Sequence, residues 1–262
     1  MESGQQPVDQ QRPEMGKKVF FLYPHSVIGE ELLEQILKEE YQVYFLKDHA
    51  KVPRLLAEYP GSILFANLDT GMEEKGWDRF IRGLMADPAT KCTGIGVLTY
   101  NNDPELSAKY LMEIGIPCGF VLLKQGLREA TAIILKILEA NEARGRRRYV
   151  RARCGDGAAR FNAKHMGQIL QGEILDISSV GMACRFQGGD GLKPDTQLDD
   201  MQLRLKGVLC RASGKLMGAT RESPDRKVLL FSQPLPEESL SKIRRFVSIS
   251  LQDEMEGILK KL

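Results

Sequence analysis

The strongest constraint on this chain is a change of pattern near residue 143. From Lys17 to about Asn141, short apolar runs alternate with longer segments of helical period. The runs are Val19 to Tyr23, Gln42 to Leu46, Ser62 to Asn67, Gly94 to Thr99 and Gly119 to Lys124. Between them lie Glu30 to Glu39, Trp77 to Met85, Glu105 to Ile114 and Leu127 to Leu138, with Ala50 to Glu58 as one more helix. In the first of these, Leu32, Leu33, Ile36 and Leu37 fall on one face, as a 3.6-residue period requires. Strands buried on both faces are near-continuously apolar, and Val19-Phe20-Phe21-Leu22 and Ile63-Leu64-Phe65-Ala66 fit that description. The alternation predicts α/β architecture, a doubly wound five-stranded parallel sheet over residues 17–141.

From Tyr149 onward the pattern is β alone. Strand-like runs occur at Tyr149 to Cys154, Gln168 to Leu175, Gly181 to Phe186, Gln202 to Arg211, Lys215 to Thr220 and Lys227 to Ser232. Turns are expected at Gly155-Asp156-Gly157, Gly188-Gly189-Asp190-Gly191 and Ser213-Gly214. Six or so strands without intervening helices predict a small antiparallel β-barrel over residues 149–236. Pro236, Glu237 and Glu238 then open a C-terminal amphipathic helix over 237–262. Its stripe of Leu240, Ile243, Phe246, Val247, Leu251, Met255, Ile258 and Leu259 is expected to pack on the barrel or on a partner subunit, with a membrane-surface role as the alternative.

Composition limits the partners. The chain has 262 residues, enough for one or two domains, and its 37 basic against 35 acidic side chains leave a net charge of +2. That balance excludes binding to nucleic acid by bulk charge, and no DNA is expected as a partner. Residues 1–16 are polar and lack an apolar run, so they read as a disordered tail and not a signal peptide. No uncharged apolar stretch is long enough to span a bilayer, and the odd, widely spaced Cys92, Cys118, Cys154, Cys184 and Cys210 read as reduced thiols. A cytoplasmic protein is expected. No P-loop, G-x-S-x-G or G-x-G-x-x-G occurs, and His25, His49 and His165 lack metal-ligand spacing. The expectation is a non-enzymatic chain with no cofactor, no metal and no catalytic residue.

The overall balance conceals a local excess. Between Arg144 and Arg153 there are six arginines and no acid, at the expected junction of the two domains. A planar guanidinium binds phosphate bidentately and also stacks on a base, although a solvated linker explains such a run equally well. A second motif lies downstream at the turn between two candidate strands, Asp176-Ile177-Ser178-Ser179-Val180-Gly181, or D-x-S-x-x-G. Asp176 and Ser178 can share a face, because strand side chains repeat every two residues. Gly181 lets the backbone turn or lets a ligand approach closely. The plain alternative is a tight turn whose polar side chains cap backbone groups.

Together the two motifs resemble the PilZ domain, the cyclic di-GMP receptor family, over roughly residues 144–236. Arg147 and Arg151 match its R-x-x-x-R motif, and Asp176, Ser178 and Gly181 match its second motif. The resemblance implies a cyclic di-GMP site in which Arg147 and Arg151 take the phosphates and the guanine N7 and O6 edge. Asp176 and Ser178 would then accept from a guanine edge, with Arg146 and Arg148 as auxiliaries. Residues 142–153 would serve as linker and ligand-binding switch, passing the signal to an unidentified protein partner in bacterial motility or surface behaviour.

The size and βα order of residues 17–141 resemble a receiver domain of two-component response regulators. Thr99 and Lys124 match two of that family's functional positions. The first strand, however, runs into Pro24-His25 where an acidic pair would hold Mg²⁺, and the third ends in Asn67 with Asp69 two residues later. The domain is therefore expected to be a degenerate receiver, used for docking or dimerisation; a homodimer through it or through the C-terminal helix stays open. Two alternative functions remain. One is a phosphorylation-controlled regulator with Asp69 as a shifted phosphoacceptor, and the other is nucleic-acid binding through the arginine run.

Overall fold

The computed structural model describes residues 16–24, 31–145, 148–188, 191–220 and 223–262. The expected tail (but for Gly16), His25, Arg146, Arg147 and the middle of the Gly188–Gly191 turn lie outside the described residues. The first half is the expected five-stranded parallel sheet, built from β1 (Lys18–Leu22), β2 (Gln42–Leu46), β3 (Ile63–Asn67), β4 (Gly94–Thr99) and β5 (Phe120–Leu122) in the order β2-β1-β3-β4-β5. Both faces are covered. Phe20, Leu22, Tyr44, Leu64 and Ala66 pack under α2 (Val52–Glu58) and α3 (Glu74–Ala86), the latter through Trp77, Ile81 and Leu84. The alternate residues Val19, Phe21, Val43, Ile63 and Phe65 pack under α1 (Glu31–Lys38) and α5 (Leu127–Ala140). This two-sided burial is why these strands read as continuous apolar runs. The helix expected at Glu105 to Ile114 is only in part α-helical: α4 (Pro104–Ala108) winds on as a π-helical turn over Lys109–Ile114, ended by Gly115 at φ 72°.

The second half is a six-stranded antiparallel barrel, with a short extra strand, β6 (Arg151–Arg153), laid on its side. The barrel strands are β7 (Ala159–His165), β8 (Gln168–Ser178), β9 (Gly181–Phe186), β10 (Gln197–Leu205), β11 (Val208–Thr220) and β12 (Ser223–Phe231). They run in the order β8-β7-β10-β11-β12-β9, and pairing of β8 with β9 closes the ring. Three expectations need correction. Ala159–His165 is a strand that the sequence reading passed over, and Gln202 to Arg211 is not one strand but a hairpin. Leu205 pairs with Val208 across Lys206 and Gly207, both at positive φ (45° and 87°), which gives the twist a two-residue hairpin turn needs. Ser213-Gly214, expected as a turn, lies inside β11, where Gly214 sits against the backbone of Leu230.

The C-terminal helix α6 (Glu237–Leu259) divides its stripe between the two halves of the chain. Leu240, Ile243, Phe246 and Val247 enter the barrel core. Met255, Ile258 and Leu259 enter the α/β core, in the cluster that also holds Trp77, and Leu251 packs against both cores. Polar groups fix the same junction. The Gln252 side chain donates to the Phe45 carbonyl (3.0 Å) and accepts from the Phe45 N–H (2.9 Å), pairing with the free edge of β2 as a neighbouring strand would. Lys51 Nζ donates to the Leu259 carbonyl (2.6 Å) and Arg54 to that of Leu262 (2.8 Å), placing cations where the helix dipole is negative. The stripe is thus occupied within one chain, and a homodimer through it would have to displace a domain.

Two stability predictions follow from this packing. Met255 is buried in the same core cluster as Trp77, the only tryptophan, so Met255→Ala should cost about 3 kcal/mol in urea unfolding monitored by indole fluorescence. An unchanged midpoint would mean that α6 does not support the α/β core. A Cβ at Gly181 would stand 2.5 Å from the Leu229 carbonyl of the paired strand β12. Gly181→Ala should therefore destabilise the barrel by about 2 kcal/mol, read by far-ultraviolet circular dichroism.

Candidate functional site

A β-bulge aims the site. Strand β8 pairs Ile174 with Cys184 but Asp176 with Ala183, leaving Leu175 as an extra residue. The alternation shifts by one: Ile174 and Ile177 both point into the barrel core, while Asp176 and Ser178 point out. β6 pairs with this shifted end of β8, Arg151 opposite Ser178 and Arg153 opposite Asp176, with Ala152 inside over Ile177. Regular alternation from Ile174 would have turned both polar residues into the core.

Asp176 is 3% exposed and carries two guanidinium partners. Arg151 Nη1 lies 2.9 Å from Oδ1 and Arg226 Nη2 hydrogen-bonds Oδ2. The Arg151 contact is an ion pair without hydrogen-bond geometry, so Oδ1 has no hydrogen-bond donor among the described residues. Arg226 reaches Asp176 across a row of register partners, Asp176–Ala183–Val228, where the small Ala183 leaves room. Arg153 is exposed and has no ion pair among the described residues. Neighbouring Cys154 is no nucleophile: burial first, then the charges of Asp176 and Glu173, push its thiol up to about 12.

These groups form one wall of a cleft of ≈ 760 Å³ between the barrel and the α/β domain. Among the described residues its lining contains the cations Lys18, Arg144, Arg151, Arg153 and Arg226 against the carboxylates Glu40, Asp176 and Glu254, so the described lining is net positive by two charges. One of those carboxylates ties the domains together. Glu40, at φ 58° just beyond α1, accepts from Ser179 Oγ (2.6 Å), in the D-x-S-x-x-G turn, and from the Val150 N–H (3.0 Å), in the arginine segment. Arg244 of α6 stands 3.6 Å from the same carboxylate. Glu40 therefore touches three parts of the second half at once.

Of the residues singled out in sequence, Arg151 and Asp176 line this wall, Ser178 and Gly181 are buried beside them on β8 and β9 without lining the cleft, and Arg146 and Arg147 lie outside the described residues. Arg148 is exposed, with its guanidinium 5.6 Å from the Tyr149 ring centre. Ser178 Oγ donates to the Gly181 carbonyl (3.2 Å), which is the turn-capping arrangement. Gly181 has an ordinary φ, and what approaches it closely is β12. Arg226, Glu40 and Lys18 were not anticipated; only strand register and domain contact bring them in. On the α/β domain, Asp69 accepts from Thr99 Oγ1 (2.5 Å) and the Tyr100 N–H (2.8 Å), Asn67 is buried, and Lys124 is exposed.

No protein-family model matches the chain, and no curated protein does. Among solved structures, it is similar to the PilZ domain with c-di-GMP of YcgR from Escherichia coli, at 15% identity and TM-score 0.37 over 45% of this chain and 99% of that one. It is similar to the K. pneumonia MrkH–c-di-GMP complex at 19% identity and TM-score 0.34, over 46% of this chain and 57% of that one. The chain spans about half the length of whole YcgR, 51%. Chemotaxis response regulator CheY4 of Vibrio cholerae is similar at 16% identity and TM-score 0.38, over 48% of this chain and 99% of that one. Each is a likeness of fold over less than half of this chain, with receiver domains and PilZ c-di-GMP receptors both represented.

Proposed function

We propose that this chain is a cyclic di-GMP-binding effector. It changes the arrangement of its two domains on binding and signals through protein contacts, in bacterial motility or surface behaviour. The observation that carries the reading is the buried Asp176 carboxylate between two half-exposed guanidiniums, in an interdomain cleft with two excess positive charges. The ligand's two phosphates are complementary in sign to that positive lining. Arg is the side chain best fitted to phosphate and to the guanine O6/N7 edge. Asp176 Oδ1, without a hydrogen-bond donor among the described residues, suits the N1–H and amino group of guanine, a donor pair that adenine lacks. The ligand would share the Arg151 and Arg226 guanidiniums with Asp176, and the arginine segment would order around it. The process controlled is what the PilZ resemblance adds.

Calorimetry with cyclic di-GMP on the full chain tests this. Arg151→Ala and Asp176→Ala should each weaken binding at least about tenfold, the scale of one charge-assisted hydrogen bond, and cyclic di-AMP should compete poorly. Failure of the wild type to bind, or variants that bind as well as it does, would reject the function or the site respectively.

The domain rearrangement has its own test at Glu40. Glu40→Ala removes the acceptor for Ser179 and Val150. Without ligand, the Val150 amide should exchange hydrogen at least about tenfold faster than in the wild type, corresponding to roughly 1.4 kcal/mol of lost protection. Saturating ligand should then produce a smaller further change than in the wild type. An unaltered exchange profile would show that this carboxylate does not hold the domains.

A further inference from the structure

We propose that the α/β domain supplies the opposite wall of the same ligand site, with Lys18 as a phosphate contact from that domain. The inference rests on the cyclic di-GMP reading above and extends it to a residue outside the barrel. Lys18 opens β1, at the end of the sheet opposite Asn67 and Thr99, where the receiver chemistry would be. Its ammonium sits 5.0 Å from the centre of the Tyr44 ring and 4.7 Å from that of Tyr59, and donates to Tyr44 Oη at 3.2 Å. No carboxylate lies within ion-pair distance of it among the described residues. Glu254 of α6 acts on it only through its field, and burial, the larger influence, lowers the Lys18 pKa. A half-buried ammonium without a counter-ion is costly, and it lines the cavity that also contains Arg151, Arg226 and Asp176.

The backbone brings the two walls to the same ligand. The Lys17 N–H donates to the Ala143 carbonyl (2.9 Å), so the arginine segment departs beside Lys18. The segment ends in β6, paired with the strand that carries Asp176. An anion held by Arg151 and Arg226 in that cavity would therefore face Lys18 from the other wall. The cavity of ≈ 760 Å³ is within the usual range for a nucleotide-sized ligand. The plainer role for Lys18 is to cover two tyrosine rings with its aliphatic stem, and such a role would affect stability and leave affinity alone.

The experiment uses the full chain. Cyclic di-GMP affinity is measured for wild type, Lys18→Met and Lys18→Arg, with Trp77 fluorescence confirming that each folds. In parallel, acetylation of Lys18 is followed by mass spectrometry with and without ligand, with exposed Lys136 as reference. Lys18→Met should bind about tenfold more weakly with an unliganded melting temperature no lower than that of the wild type, and Lys18→Arg should recover most of the affinity. Ligand should slow acetylation of Lys18 and leave Lys136 unaffected. Wild-type affinity in Lys18→Met, or acetylation of Lys18 indifferent to ligand, overturns this inference and leaves the barrel site standing. Absence of binding by the wild type itself overturns both.

Discussion

The arrangement of the two halves depends on one helix that belongs to both. The stripe of α6 is too long for either core alone. Its first turns complete the barrel around Ile243 and Phe246, and its last turns complete the α/β core around Met255. Leu251 touches both, and a covalent linker could not impose this orientation by itself. Gln252 strengthens the junction by satisfying the edge of β2, which would otherwise present open backbone groups to any passing strand. With α6 seated in both cores, the cleft lies between the two domains that the helix joins.

Within the cleft, the buried carboxylate determines what the cations can do. An ionised Asp176 at 3% exposure would be expensive alone, and its two guanidiniums offset that desolvation. The guanidiniums themselves are each 42% exposed in their side chains, so they remain open to a second anion on the cleft side. A fully buried Arg–Asp–Arg cluster would be a closed structural element, whereas this one is closed on the barrel side only. Arg226 shows that strand register assembles the site as well as local sequence. It lies fifty positions from Asp176 and reaches it only because β9 separates the two strands with an alanine at the crossing point.

The parallel sheet was legible because burial on both faces writes each strand as an unbroken apolar run. The barrel was less so, for identifiable reasons. Ala159–His165 alternates perfectly in burial, yet its inward residues include two alanines, which carry little hydrophobic signal. Its hairpin to β8 and the β10–β11 hairpin turn on Met166-Gly167 and Lys206-Gly207, with all four residues at positive φ. Neither pair is the Asn-Gly or Asp-Gly that marks such turns in sequence. The two motif stretches were visible from residue types alone. The bulge at Leu175 was not, and it is what turns Asp176 and Ser178 outward. Lys18 and Glu40 could be seen only when the domains were set side by side.

Glu40 has a further consequence for the proposed ligand. It lines the same cleft as the arginines, and the same carboxylate holds Ser179, Val150 and Arg244. A dianion brought into that cleft would add negative charge near a carboxylate that is already shielded from water, and the two would repel. The attraction of the ligand for the arginine segment also pulls on Val150, which Glu40 is holding. Both effects oppose the Glu40 contacts when the site fills, and only the compensating charge of Arg244 favours their retention. On the proposed function, ligand binding and the Glu40 latch would be coupled with opposite sign, and occupancy of the site would be converted into a change in how the two domains are held.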